Sequence, residues 1–111
     1  MEMNDSILRA LYNTVIERRD NPQEGSYTCY LLDKGMDKIL KKVGEEAAET
    51  IIAAKNGAAE ELTGEIADLI YHLMVMMVSA DLPLEAVLAE LDKRSLKTGN
   101  LKTFHNTDHN S

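Results

Sequence analysis

The chain has 111 residues, a net charge of −7 and a pI of about 4.9, a length that fits one domain burying roughly two-thirds of its unfolded surface. So acidic a balance argues against binding nucleic acid or an anionic membrane, although bound metal ions can still draw in an anionic small molecule. A single cysteine, Cys29, excludes an intramolecular disulfide and fits a reducing cytoplasm, and Met1–Asn13 lacks the basic start and apolar core of a signal peptide.

Asp5 or Ser6 is placed to cap a first helix, whose apolar face is Ile7, Leu8, Leu11, Val15 and Ile16 and whose end falls near Arg19, before Asp20-Asn21-Pro22. Ser26 and Thr28 suit helix capping as well as ligand contact, and a short helical segment follows to Lys34, closed by Gly35. A long helix is expected from Met36 to Asn56, stopped by Gly57, with Met36, Leu40, Val43, Ala47, Ile51 and Ala54 as its buried stripe. Lys38, Lys42, Glu45 and Glu49 fall on the opposite face, where a solvated, salt-bridged surface is the plainer explanation. The next helix, Ala59 to Ala80, contains Glu65–Ala80, a stretch apolar on every side and so expected to pack on several neighbours. Those sixteen residues are too short, and too interrupted by ionisable groups, to span a bilayer. Asp81-Leu82-Pro83 ends this helix, and Leu84, Val87, Leu88 and Leu91 mark a last amphipathic one with Lys93 and Arg94 near its end. The fold class is therefore all-α: a bundle of four to five helices over residues 1–95, followed by a polar, loose tail over 96–111 in which Lys97, Lys102, His105 and His109 could touch an anion.

The chemistry lies across the turn at Asn56-Gly57. Glu65, Asp68 and His72 fall within about 60° of one another on one helical stripe, and buried carboxylates are costly unless something pairs with them. One helix upstream, Glu45, Glu46 and Glu49 form a second acidic cluster. A short connection makes the two helices antiparallel, so the acidic pairs Glu46/Glu49 and Glu65/Asp68, about eight residues before and after the turn, face each other. Carboxylates cannot neutralise carboxylates, but a hard divalent cation can. With four or five carboxylates converging, the arrangement points to a Mg²⁺ or Mn²⁺ site between the two helices. His72 reads as a hydrogen-bonded core residue, and Tyr71 and the three methionines Met74, Met76 and Met77 as packing. A di-iron bundle would need two Glu-x-x-His pairs and a structural zinc site more than one cysteine, so both are rejected.

Glu45-Glu46-x-x-Glu49 followed by Glu65-x-x-Asp68 resembles the signature of the MazG-like all-α nucleoside triphosphate pyrophosphohydrolases. The wider run is similar to the phosphoribosyl-ATP pyrophosphohydrolase family of histidine biosynthesis: Ser26-Tyr27-Thr28, Leu31-Leu32-x-x-Gly35, Ile39-Leu40-Lys41-Lys42-Val43-Gly44-Glu45-Glu46-Ala47, Ala53-Ala54-Lys55-Asn56 and Ala67-Asp68-Leu69-Ile70-Tyr71-His72-Leu73. The resemblance covers roughly residues 5 to 95 and is to the stand-alone form, not to the fusion with the cyclohydrolase that takes the next step. It implies Mg²⁺-dependent hydrolysis of phosphoribosyl-ATP to phosphoribosyl-AMP and pyrophosphate, in a cytoplasmic homodimer whose partner helices complete each site. It implies metal binding by Glu46, Glu49, Glu65 and Asp68, with Glu45 either orienting or deprotonating water or serving as a further ligand, and Glu49 also catalytic. Lys38, Lys42, Ser26, Tyr27, Thr28 and Asn56 are implied substrate contacts, with Lys41 and Lys55 as weaker ones, and a separate phosphoribosyl-AMP cyclohydrolase as functional partner. Two rivals stand beside it: a house-cleaning hydrolase of free (d)NTPs, separable by a nucleotide panel, and a non-catalytic helical dimerisation module, on which Glu65→Ala would stabilise the fold without any metal dependence.

Overall fold

A computed structural model describes the backbone of residues 2–96 and the side chains of residues 7–95. Its elements are α1 (Glu2–Asp20), α2 (Tyr27–Lys34), α3 (Met36–Asn56), α4 (Ala59–Ser79) and α5 (Leu84–Leu96). The described residues are all-α, as the patterning requires. The expected ligands on Lys97, Lys102, His105 and His109 lie outside the described residues, and α5 runs one residue past the expected domain boundary.

Local chemistry sets most of the helix ends. The Ser26 side chain accepts a hydrogen bond from the Cys29 backbone N–H at 3.1 Å, capping α2. Gly57 closes α3 at φ 71°, a left-handed conformation that a glycine adopts without steric cost. Helix α1 differs from expectation: it begins at Glu2, so Asp5 and Ser6 lie within its span and not at its start. Nothing N-terminal to them, neither Pro nor Gly, stops the helix.

Helices α3 and α4 form a hairpin joined by Gly57 and Ala58 and make the most extensive contact in the molecule; α1 and α2 pack across one end. The core is Val15, Leu31, Ile39, Met74, Val75, Met77, Val78 and Leu84, each worth roughly 1.5–3 kcal/mol for full burial of a side chain of this size. The Tyr12 hydroxyl donates to the Leu82 carbonyl at 2.8 Å, Arg9 pairs with Glu85, and Arg19 Nη1 lies 3.6 Å from Asp81 Oδ1. Helix α1 thus pins the corner between α4 and α5.

Two expectations are corrected. The buried stripe of α3 is Ile39, Glu46 and Ala53, with Val43 and Thr50 partly covered. Leu40 is 46% and Ile51 63% exposed. The face turned toward α4 is therefore rotated by roughly a quarter turn, at 100° per residue, from the apolar stripe read in the sequence. Helix α4 is buried only along its C-terminal half, at His72, Met74, Val75, Met77 and Val78; Ile66 is 42% exposed. By length and composition alone all of α4 is long and apolar enough to cross a membrane, yet it packs against α1, α2 and α3 as the core helix.

Candidate metal and nucleotide site

The rotation of α3 puts Glu46 inside the hairpin. One carboxylate oxygen from each of Glu46, Glu49 and Glu65 lies within 4.8 Å of the others. Glu46 is buried, Glu65 half-buried and Glu49 exposed. Glu46 Oε1 and Glu65 Oε1 are both shielded from solvent with no hydrogen-bond partner. Burial first, then a hydrogen bond with Glu49 and the charges of Glu49, Glu46 and Asp68, push the Glu65 carboxyl above its usual value. Three acidic groups are held together, and Lys42, 3.9 Å from Glu46 Oε2, leaves the two orphaned oxygens without a hydrogen-bond partner. The set is all hard oxygen, which fits a Mg²⁺- or Mn²⁺-class ion and not zinc or copper.

Asp68 is exposed and is not part of the close trio, although its charge acts on Glu65. Glu45 is exposed too, on the rim beside Lys42. Lys42 Nζ lies 3.5 Å from Glu45 Oε1 and 3.9 Å from Glu46 Oε2. The charge of a Tyr27 phenolate raises the Lys42 ammonium above its usual value, burial opposes it, and the hydrogen bond to Glu45 and the charges of Glu45 and Glu46 add smaller increases. Lys42 is therefore a firm cation at the mouth of the acidic trio. Lys38 is half-buried one turn earlier, and Asn56 is exposed at the last position of α3, about 10 Å along the axis from Glu49.

The Ser26-Tyr27-Thr28 segment docks α2 onto α4. Ser26 caps its own helix, and Thr28 Oγ1 hydrogen-bonds Tyr71 Oη. His72 Nδ1 lies 2.8 Å from the Asp68 carbonyl, which can only accept, so Nδ1 carries the proton. Nε2 then accepts from the Tyr27 hydroxyl at 3.1 Å. His72 is a satisfied core residue, as its lone place on an apolar helix suggests. Burial raises the Tyr71 phenol above its usual value, against a smaller lowering from Thr28.

Reading the sequence passed over Tyr30 and Lys34. Tyr30 stacks on Tyr27, with ring centroids 6.2 Å apart, and Lys34 and Lys38 both stand over its ring. The signal was present: Tyr27 and Tyr30 are spaced i, i+3, and Lys34 follows at i+4 on the same helix face.

The model of a family described as phosphoribosyl-ATP pyrophosphohydrolase matches residues 8–95. A phosphoribosyl-ATP pyrophosphatase of Clostridium novyi is 50% identical over 89% of this chain and 90% of that protein. One of Pelotomaculum thermopropionicum is 55% identical over 82% of this chain and 93% of its own. A histidine biosynthesis bifunctional protein of Caldanaerobacter subterraneus is 53% identical over 82% of this chain, which spans 44% of that longer protein.

Proposed function

The chain belongs to the phosphoribosyl-ATP pyrophosphohydrolase family, and from that premise we propose that it hydrolyses phosphoribosyl-ATP to phosphoribosyl-AMP and pyrophosphate in L-histidine biosynthesis, with Mg²⁺ held by Glu46, Glu49, Glu65 and Asp68. The observation that carries the site is the approach of three carboxylates to within 4.8 Å with two buried, unpartnered oxygens among them. When bound, Mg²⁺ supplies charge neutralisation and Lewis acidity at the phosphoryl oxygens.

The chain's own groups divide the remaining work. Water attacks phosphorus at the α–β anhydride, the bond to the bridging oxygen breaks, and pyrophosphate leaves. Glu45, at the exposed rim beside Lys42, orients that water and accepts its proton; Glu49, facing Glu65, shares the task of holding it. Lys42, fixed as an ammonium between Glu45 and Glu46, contacts the polyphosphate and offsets the charge that develops there. Tyr27 is held in place by its bond to His72.

A second copy of the chain covers Leu40, Ile51, Ile52 and Ile66, which are 40–65% exposed on the outer faces of α3 and α4, and so completes a homodimer. Cytoplasmic residence fits the free Cys29 thiol. Transfer of the product to a separate phosphoribosyl-AMP cyclohydrolase is supported by the relative named as bifunctional in histidine biosynthesis.

The test is pyrophosphate release from phosphoribosyl-ATP with Mg²⁺ and with EDTA, for the wild type and Glu49→Gln. Metal-dependent release, falling about 100-fold or more in the variant, is expected for loss of a group that acts on the reacting water. No release by folded wild type, with turnover of dATP or dCTP instead, would replace this reading by a house-cleaning one.

A further inference from the structure

The aromatic groups of α2 form a row that the acidic site does not use. Tyr27 and Tyr30 are 45% and 43% exposed, with rings 22° from parallel. The row continues inward from Tyr27 to Tyr71 of α4, with centroids 6.2 Å apart and rings 27° from parallel. Tyr27 is anchored by its bond to His72, so the outer ring, Tyr30, rests on a fixed support. Lys34 Nζ and Lys38 Nζ lie 5.8 and 5.9 Å from the Tyr30 centroid. Among the described residues neither lysine takes part in an ion pair. Two ammonium groups, each within 6 Å of one exposed ring and neither in an ion pair among the described residues, offer charge-assisted contacts to an anion. A flat base laid on the ring covers its exposed apolar face.

The row is also in register with the acidic site. Lys38, Lys42 and Glu46 follow one another at four-residue intervals on α3, so Lys38 stands about 12 Å along the helix axis from Glu46, with Lys42 between them. A nucleotide whose α–β linkage lies at the carboxylates can reach toward Tyr30 with its base end, along the line of Lys42 and Lys38. We propose that Tyr30, Lys34 and Lys38 form the subsite for the phosphoribosyl end of the substrate, the purine stacking on Tyr30 and the phosphate of the added ribose bridging the two lysines. This rests on the substrate reading above and makes the subsite the discriminator against free nucleoside triphosphates, which carry no such phosphate.

The experiment compares the wild type, Lys34→Gln/Lys38→Gln and Tyr30→Leu in pyrophosphate release from phosphoribosyl-ATP, and in inhibition by phosphoribosyl-AMP and by AMP, with melting temperature as a check on folding. In the double variant KM is expected to rise about tenfold with kcat within about twofold, the loss of charge-assisted contacts made equally before and during reaction. Inhibition by phosphoribosyl-AMP weakens in parallel while inhibition by AMP does not change. Tyr30→Leu weakens both inhibitors alike, because both present a purine. If the double variant melts early, Lys38→Gln alone carries the same comparison. Unchanged KM and unchanged phosphoribosyl-AMP inhibition overturn the subsite. So does equal weakening of both inhibitors in the double variant, which would put the lysines on the phosphate that the two share. Failure of the wild type to release pyrophosphate is a separate result: it defeats the substrate reading, and the subsite falls with it.

Discussion

Glu65 is where the cost of the site concentrates. Its carboxyl faces Glu49 and Glu46 from the opposite helix and Asp68 from its own, one of its oxygens has no partner, and its affinity for a proton is raised in consequence. Such a group destabilises the metal-free protein when ionised and stabilises the metal-bound one. Glu65→Gln is therefore expected to raise the melting temperature in EDTA and to remove the increase that Mg²⁺ produces in the wild type, as read by thermal denaturation with and without the ion. A variant that keeps the full Mg²⁺ response would take Glu65 out of the metal site. A wild type with no Mg²⁺ response, stabilised by the same substitution, is the behaviour of a helical module with no metal chemistry. The pairing of Glu46 and Glu49 with Glu65 was legible because equal spacing from a helix turn is a geometric statement. The outlying place of Asp68 was not, since i, i+3 spacing gives a shared face but not the reach of a side chain across to the next helix. The hydroxyls of Ser26, Tyr27 and Thr28 have internal partners: Ser26 caps α2, while Tyr27 and Thr28 hold α2 against α4.

At the scale of elements, the hairpin turn sets the register of the site. Gly57 ends α3 with φ 71°, and its N–H bonds the Ala54 carbonyl at 3.1 Å. A Cβ at Gly57 would meet no neighbouring atom within 4 Å, so Gly57→Ala pays only the left-handed backbone conformation, about 1 kcal/mol. Chemical denaturation should show that loss with an unchanged m-value. A loss several times larger would mean that the turn carries contacts beyond its backbone geometry. Both ends of α3 and the start of α4 were readable in the sequence, because Gly35, Gly57 and the following Glu60 and Glu61 are strong local signals. The start of α1 was not. Asp5 and Ser6 favour a cap only where a helix has to begin, and nothing upstream of them interrupts this one.

For the whole molecule, the decisive feature is that α3 has two apolar-bearing faces, of which the described residues cover only one. Ile39, Val43 and Ala53 turn inward with Glu46, whereas Leu40, Ile51 and Ile52 turn out, beside Ile66 of α4. The wild type is expected to sediment as a dimer and Ile51→Glu as a monomer with wild-type helical circular dichroism, which loses Mg²⁺-dependent pyrophosphate release if the partner's helices complete the site. A wild type that sediments as a monomer would leave that face without the second copy proposed for it. The sequence by itself determined the all-α class, the five helices, the turn that makes α3 and α4 neighbours, and the acidic residues that meet across it. Each of these follows from local spacing, capping and composition, which act within a few residues. Which face of α3 points inward was decided only by the tertiary structure. A helix with apolar residues over most of its circumference has no single lowest-energy orientation of its own, and contact with α2 and α4 selects the face that draws Glu46 into the interior. The row from Tyr30 to Tyr71 was likewise decided by packing, because it joins residues more than forty positions apart, and no periodicity within one helix encodes a contact between two.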